Sequence, residues 1–330
     1  MLKRLSALPI DTFLLAMAAT VALAALFPAR GAFADVMSVA AKVVIALLFW
    51  LYGARLSPQQ AWQGVKRWHL HLLVLATTFV VFPLLGLAAR GLVPWLLNLD
   101  LYNGLLFLCL VPSTVQSSIA FTSIARGNVS AALVSASLSN IVGIALTPLL
   151  VVLLMNTRGG AQMDTTAVRD VVVQLLLPFV AGQLMRPWIA DWVARHGVLT
   201  KVVDRGSILL VVYTAFSMGM VEHIWRSVNA WQLVIVAVVN TVLLAVVLAF
   251  TWLVGRLVGL DRGDSIVLLF CGSKKSLASG LPMALVFFPA ATVGVIMLPL
   301  MIFHQIQLVV CSVIASRLSR DSLDDEPAAA

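Results

Sequence analysis

Charged residues are scarce in this chain. Of its 330 residues, 22 are Lys or Arg and 14 are Asp or Glu, so only 11% are charged. A typical soluble domain is about 25% charged and about 45–50% apolar. This chain is 61% hydrophobic and has a mean hydropathy of +1.03. So little charge excludes a soluble enzyme and a disordered chain, and it predicts an all-α polytopic membrane protein that contacts the lipid bilayer.

Acidic residues and cysteines are scarce in particular. No Asp or Glu lies within residues 36–99, 101–163 or 265–320. These stretches therefore offer no carboxylate for a proton relay or for neutralising a bound cation. The three cysteines lie among apolar residues without metal-ligand spacing, so they predict neither a disulfide framework nor a metal site.

The chain also lacks the motifs of several other protein classes. It contains no GxSxG, HExxH or P-loop pattern, so we expect no enzymatic activity and no organic cofactor. The net charge of +8 is explained by basic residues in loops and does not require a nucleic-acid partner. No feature of the sequence specifies an oligomeric state.

Apolar runs long enough to span a bilayer dominate what remains. They lie at 8–27, 36–54, 70–89, 104–125, 129–155, 170–188, 207–221, 231–257, 264–287 and 291–316. The sequence therefore predicts ten transmembrane helices. Lys and Arg are concentrated in the loops after even-numbered runs. By the positive-inside rule, we expect both termini to be cytoplasmic, in a bacterial-type inner (plasma) membrane.

Two of these runs are interrupted at matching places. Pro112 lies in the fourth run, and Gly272 followed by Ser273 lies in the ninth, 160 residues later. Proline and glycine both disfavour a continuous helix, and we expect Ser273 to cap the second half-helix. Five spans reverse the orientation of the second half, so the pattern predicts two inverted repeats with discontinuous crossing helices 4 and 9. The expected repeats are residues 1–160 and 161–318, followed by a disordered cytoplasmic tail, 319–330.

Lys274 and Lys275 are the strongest functional signal. A lysine at the centre of a membrane costs about 2.5–3.5 kcal/mol, and packing explains no such pair. One interpretation is a cavity-facing site that binds an anion or replaces a coupling cation. The alternative is that the span is misplaced and the pair lies in a loop.

Hydroxyl and amide side chains follow both interruptions. We predict that they bind substrate or a coupling ion, although back-bonding to the helix would also explain them. Weaker candidates in runs five and ten are explained equally well by packing or structural hydrogen bonds. The main candidates are Ser113, Thr114, Gln116, Ser117, Ser118, Ser273 and Ser276, and the weaker ones are Ser135, Ser139, Asn140, His304 and Gln305.

These motifs carry a family resemblance. Residues 112–118 (Pro-Ser-Thr-Val-Gln-Ser-Ser), 125–128 and 146–148 resemble the crossing region of the bile acid:sodium symporter family. Residues 272–282 are similar to the branch that holds the orphan seventh member of the vertebrate bile-acid carriers and its bacterial relatives. The resemblance implies ten helices, with a panel domain (spans 1, 2, 6 and 7) that rocks against a core domain (spans 3–5 and 8–10). It also implies transport of organic anions, typically with sodium.

The chain departs from that family's sodium-coupled members. Where they carry a glutamate before the ninth-span break, residues 268–270 are Leu-Leu-Phe. Ser118 is followed by Ile119 instead of asparagine, and Ser273-Lys274 stands in place of Gln-Asn. Most of the sodium ligands that the resemblance implies are therefore absent, and the coupling ion, sodium or a proton, is left open.

These observations predict a secondary active transporter of small organic anions that works by alternating access. One alternative is a sodium-independent carrier in which Lys274 or Lys275 replaces the coupling sodium. Another alternative, from a different class, is a non-transporting membrane sensor or scaffold.

Overall fold

The structure, a computed structural model, describes residues 12–55, 67–155, 172–221, 223 and 229–324. Throughout these ranges the regular secondary structure is helical, as predicted. The helices of the first part of the chain are α1 (Thr12–Leu26), α2 (Ala32–Arg55), α3 (Trp68–Leu92), α4 (Leu99–Leu110), α5 (Gln116–Ile124) and α6 (Val129–Met155). They are followed by α7 (Leu177–Arg195), α8 (Gly197–Val221), α9 (Ala230–Leu257), α10 (Arg262–Ser273), α11 (Leu277–Phe287) and α12 (Ala290–Asp324).

Several helices are long and apolar enough to cross a membrane. Among the described residues, five helices meet this description: α2, α3, α6, α9 and the Ala291–Arg320 part of α12. Shorter apolar helices are α4 and the Arg205–Val221 part of α8. Many large apolar side chains on these helices are exposed, such as Val39, Leu153 and Val238. Such surfaces are stable in lipid but not in water, so the chain is an integral membrane protein.

The chain forms two compact units. The first unit comprises residues 1–55, 172–227 and 281–294. Within it, α2 and α7 approach each other closely at Gly53 and Gly182. A Cβ added to Gly53 would collide with the Phe179 carbonyl oxygen, and one added to Gly182 would collide with the Trp50 carbonyl oxygen. The Gln183 side chain donates a hydrogen bond to the Gly53 carbonyl at 2.8 Å. Small residues thus allow the backbones to pack and a polar side chain to join them.

The second unit comprises residues 56–171, 228–280 and 295–330. Its apolar clusters join α10 to α3 and α6 through residues such as Val74, Ala132 and Cys271, and to α5 and α12 through Phe121 and Cys311. Both helix interruptions lie in this unit. Helix α10 thus packs against four other helices through two apolar clusters, and this packing fixes the position of the ninth-run break at its C-terminal end.

One end of the second unit is held together by polar contacts. Arg67, before α3, forms an ion pair with Asp264 of α10, and this carboxylate also accepts a hydrogen bond from Asn128 at 2.9 Å. Arg262 donates to the Leu318 carbonyl at 2.6 Å. The hydrogen bond from Arg67 to Asp264 and their charge attraction raise the pKa of the guanidinium. The starts of α3, α6 and α10 and the C-terminal part of α12 therefore lie together.

The fourth run is interrupted as the sequence predicts. Helix α4 ends at Leu110, and Val111 has the extended backbone (φ −76°, ψ 155°) that a following proline favours. Helix α5 begins at Gln116. Because Pro112 has no N–H and restricts its neighbour, a local steric effect accounts for this break.

The ninth run is interrupted slightly later than predicted. Helix α10 continues through Gly272 and Ser273, and the break is Lys274–Ser276. The prediction that Ser273 caps the second half-helix is wrong, because its hydroxyl donates back to the Leu269 carbonyl. The Ser276 hydroxyl instead accepts a hydrogen bond from the Ser279 N–H at 3.1 Å. Gly272 is explained by packing, since an added Cβ would lie 3.1 Å from a methyl carbon of Thr251.

The chain terminus also differs from the prediction. Helix α12 extends to Asp324, so residues 319–324 of the predicted disordered tail are helical. Residues 325–330 and the predicted repeat boundary at 160–161 lie outside the described residues.

Candidate functional site

The two helix interruptions bind each other directly, and we call the place where they meet the crossing. The Ser276 N–H donates to the Pro112 carbonyl at 2.8 Å, and the Ser113 hydroxyl donates to the Cys271 carbonyl at 2.6 Å. The Ser118 hydroxyl adds a longer hydrogen bond, 3.3 Å, to the Phe270 carbonyl. The last carbonyls of a helix have no partner within the helix, so each break supplies groups that the other requires.

Helix α6 supports the crossing with polar side chains. The Ser139 hydroxyl accepts a hydrogen bond from the Ser113 N–H at 3.1 Å, and the Asn140 amide donates to the Ser113 carbonyl at 2.8 Å. The Asn140 side-chain oxygen accepts from Ser279 at 2.9 Å. Asn140 thus binds one residue in the first break and one just after the second, so two of the weaker sequence candidates, Ser139 and Asn140, lie at the crossing.

Lys275 is completely buried, with 0% exposure. Its ammonium nitrogen donates to the carbonyl oxygens of Thr78 at 2.9 Å, Cys109 at 2.8 Å and Val111 at 2.9 Å. The nitrogen also lies 4.2 Å from the centre of the Phe82 ring. An ammonium has three N–H donors, so each of its donors has a carbonyl partner.

Lys274 is equally buried, with 0% exposure, but its surroundings differ. Its ammonium nitrogen donates to the Ser117 carbonyl at 2.8 Å. It lies 3.8 Å from the centre of the Phe121 ring and 5.2 Å from that of Phe270. This ammonium is therefore stabilised largely by aromatic faces. The two lysines lie in the irregular segment between α10 and α11, yet neither is exposed.

Gln307 of α12 stabilises the backbone of the ninth-run break. Its side-chain oxygen accepts from the Lys275 N–H at 2.9 Å, and its nitrogen donates to the Lys275 carbonyl at 2.9 Å. The same nitrogen lies 2.9 Å from Nδ1 of His304. Because the two bonds to Lys275 fix the orientation of the amide, Nδ1 of His304 is the acceptor. The candidate Gln305 is exposed and takes no part in this set of hydrogen bonds.

The remaining candidates are divided between the crossing and other places. The hydroxyls of Thr114 and Ser117 lie 2.7 Å apart, at the start of α5, where Ser117 is partly exposed and Gln116 is exposed. Ser135 instead contacts Nδ1 of His71 at 2.7 Å. The structure therefore brings most candidates together, whereas the side chains of Gln116, Ser135, Ser273 and Gln305 take no part in the hydrogen bonds that join the breaks.

The sequence-based candidate set omitted several groups that the structure brings to the site. Gln307 carries a detectable signal, because it is a polar residue inside an apolar run. The carbonyls of Thr78, Cys109 and Val111 carry almost none, since backbone atoms are common to all residues. Pro83 is an indirect signal for the Thr78 carbonyl. Thr78 lies in the π-helical stretch Thr77–Val81, and in a π-helix the carbonyl of residue i pairs with the N–H of residue i+5. For Thr78 that residue is Pro83, which has no N–H.

Comparison with known proteins identifies the family. A model of the SBF-like CPA transporter family matches residues 11–320. The chain therefore belongs to this family, and it is a membrane transporter and not an enzyme. The resemblance to bile acid:sodium symporters is confirmed.

Particular relatives agree with this assignment. The chain is 50% identical over 319 residues to an uncharacterized protein of Pseudomonas aeruginosa, covering 97% of this chain and 96% of the relative. It is 48% identical over 314 residues to YfeH of Escherichia coli, named as a candidate symporter, with 95% and 94% coverage. It is 26% identical over 280 residues to sodium/bile acid cotransporter 7 of Rattus norvegicus, with 82% and 81% coverage.

Proposed function

We propose that this chain is a secondary active transporter of small organic anions that works by alternating access. The observation that carries the proposal is the crossing of two interrupted helices that bears two lysines. The segments that form it, residues 101–163 and 265–320, contain no carboxylate. Positive charge that has no carboxylate beside it, but has hydroxyl donors, favours an anionic ligand over a cationic one.

The contacts at one end of the second unit support the ten-span topology. Arg67 follows the second apolar run, Asn128 the fourth and Asp264 the eighth, and these residues bind one another. Leu318, after the tenth run, is bound by Arg262. Loops after even-numbered spans must lie on the same side of a membrane. The excess of basic residues in these loops makes that side cytoplasmic.

The half-helices support the inverted repeat. Helices α4 and α10 are each 12 residues long, and each ends in an extended residue at its break. The two compact units support the panel and core domains for most of the chain. The first contains predicted spans 1, 2, 6 and 7, and the second contains spans 3–5 and 8 and most of spans 9 and 10. Residues 281–294, the end of span 9 and the start of span 10, belong to the first unit instead. Alternating access requires two bodies of this kind.

A second candidate, a sodium-independent carrier, is favoured by Lys275. Three carbonyl oxygens at 2.8–2.9 Å surround its ammonium, and rings of carbonyls also replace the hydration shell of ions in channels. The chain lacks a carboxylate in this region, and an ammonium of its own supplies the positive charge. In this form of the proposal, sodium is not required for transport.

The test is transport by the purified protein in proteoliposomes. A panel of carboxylates, sulfonates and sulfate esters is first screened for saturable thermal stabilisation, in NaCl and in choline chloride at matched ionic strength. Stabilising anions are then measured for uptake. We expect at least one to be taken up, and uptake in choline equal to that in NaCl favours the sodium-independent form.

A matched pair of variants links uptake to the crossing. We expect Ser117→Ala to weaken uptake, because this partly exposed hydroxyl lies at the α5 turn. Ser130→Ala serves as the control, since its hydroxyl donates to the Asn128 side chain at 2.9 Å, at the loop end of α6 and away from the breaks. Stabilisation by an anion without uptake would contradict the proposal and support a membrane sensor.

A further inference from the structure

The C-terminal end of α4 leaves several backbone carbonyls without partners in the helix. Thr147 donates to the Leu110 carbonyl at 2.9 Å, and the Ser276 N–H donates to that of Pro112. The carbonyls of Cys109 and Val111 both bind Lys275. Because the C-terminal end of a helix carries partial negative charge, this is a place where a cation is stabilised.

A third carbonyl reaches the same point from α3. Thr78 lies in the π-helical stretch Thr77–Val81, where its i+5 partner is Pro83, a residue without an N–H. Its carbonyl oxygen therefore accepts the third N–H of Lys275 at 2.9 Å. The three oxygens of Thr78, Cys109 and Val111, which we call the carbonyl cage, come from two helices and converge on one atom.

The corresponding end of α10 is satisfied without charge. Its carbonyls at Leu269, Phe270 and Cys271 accept hydrogen bonds from serine hydroxyls. Lys274 also differs from its neighbour, because it binds one carbonyl and two aromatic faces. A cation surrounded by converging carbonyls therefore occurs at the first break, and Lys275 alone supplies it.

We propose that the carbonyl cage is a binding site for a primary ammonium group, which the chain fills permanently with Lys275. Lys275 is then a positioning residue that holds α3, α4 and the ninth-run break together, and it is not the lysine that meets the substrate. The proposal deepens the sodium-independent form of the proposed function. It rests on that form only where it concerns coupling, namely that the ammonium of Lys275 takes the place of a coupling sodium ion.

The test removes the Lys275 ammonium from the carbonyl cage by mutation and then adds a small amine that can bind there. Lys275→Ala removes three carbons and the ammonium, and n-propylammonium supplies the same atoms. We expect the variant to lose roughly 10 °C in Tm, because three buried carbonyls lose their cation. Added n-propylammonium chloride is expected to restore most of that loss saturably, whereas choline chloride at the same concentration does not, since it has no N–H.

Two further variants make the result specific. In Lys275→Met the thioether chain occupies the space of the lysine carbons, so the same loss of Tm is expected without rescue. In Lys274→Ala the vacated place offers a single carbonyl, and we expect no saturable rescue. Full-length wild-type protein measures any general effect of the amine.

The outcomes decide the proposal in both directions. A Lys275→Ala protein as stable as wild type, or one that n-propylammonium stabilises no more than it stabilises Lys274→Ala, overturns it. So does failure to obtain folded Lys275→Ala protein with the amine present, while folding that depends on the amine supports it. None of these measurements involves transport, so a chain that carried no organic anion would still show the rescue.

Discussion

Replacing Gln307 with methionine tests how the ninth-run break is stabilised. The substitution keeps the length and approximate volume of the side chain and removes its hydrogen bonds. The N–H and carbonyl of Lys275 then lose their partners, which lie at 2.9 Å in the structure. Both groups are buried, and water cannot replace the lost amide without opening the core.

The magnitude follows from the number of groups left unpaired. Each buried donor or acceptor without a partner costs about 1–3 kcal/mol, so two of them predict a loss of about 2–6 kcal/mol in the free energy of unfolding. Gln305→Met is the matched control. Gln305 lies on the same helix and is exposed, so we expect its replacement to change stability by about 0.5 kcal/mol or less.

The assay is unfolding of the detergent-solubilised protein, followed by circular dichroism while a denaturing detergent is added. Wild type and the two variants are compared under one set of conditions. If Gln307→Met unfolds at the same point as Gln305→Met, the amide does not stabilise the break and the reasoning is refuted. A loss in both variants would instead indicate a general effect of methionine on α12.

Two further predictions concern contacts of the second unit. In a double-mutant cycle of Arg67→Met and Asp264→Asn, we expect a coupling free energy of about 0.5–2 kcal/mol. This coupling should fall in high salt, because the Arg67 side chain is 47% exposed and salt screens exposed charges. Equal coupling at all salt concentrations would contradict this. The ring centre of Phe121 lies 3.8 Å from the Lys274 nitrogen. In unfolding measurements, we expect Phe121→Leu to lower the free energy of unfolding by about 2 kcal/mol less in a Lys274→Met background than in the wild type.

Local chemistry made the helix interruptions predictable. Proline affects its own N–H and the residue before it, so Pro112 ends α4 at a position the sequence reveals. The ninth-run break was placed less accurately, because glycine only weakens a helix. Gly272 stays within α10, where its lack of a side chain allows close packing against Thr251.

The partners of the two lysines could not be predicted. Lys274 and Lys275 are identical in type and adjacent in the chain, yet one meets the Ser117 carbonyl and the other meets carbonyls of α3 and α4. Likewise, Gln307 binds the break while Gln305 faces outward. The direction of each side chain depends on the rotation of its helix or segment relative to its neighbours, and no local pattern contains that rotation.

The sequence by itself determined the class of the protein. Each run is apolar over a length that can span a bilayer, and the chain has too few charged residues to cover its apolar surface in water. A lipid bilayer is therefore the environment that this composition requires. The same local reasoning identified the breaks and the lysines as exceptional. Only the tertiary structure decided that Lys275 fills a carbonyl cage and that Lys274 lies on aromatic rings. The hydrogen bonds of the two lysines join atoms separated by 157–197 residues, and they exist only once the helices have packed together.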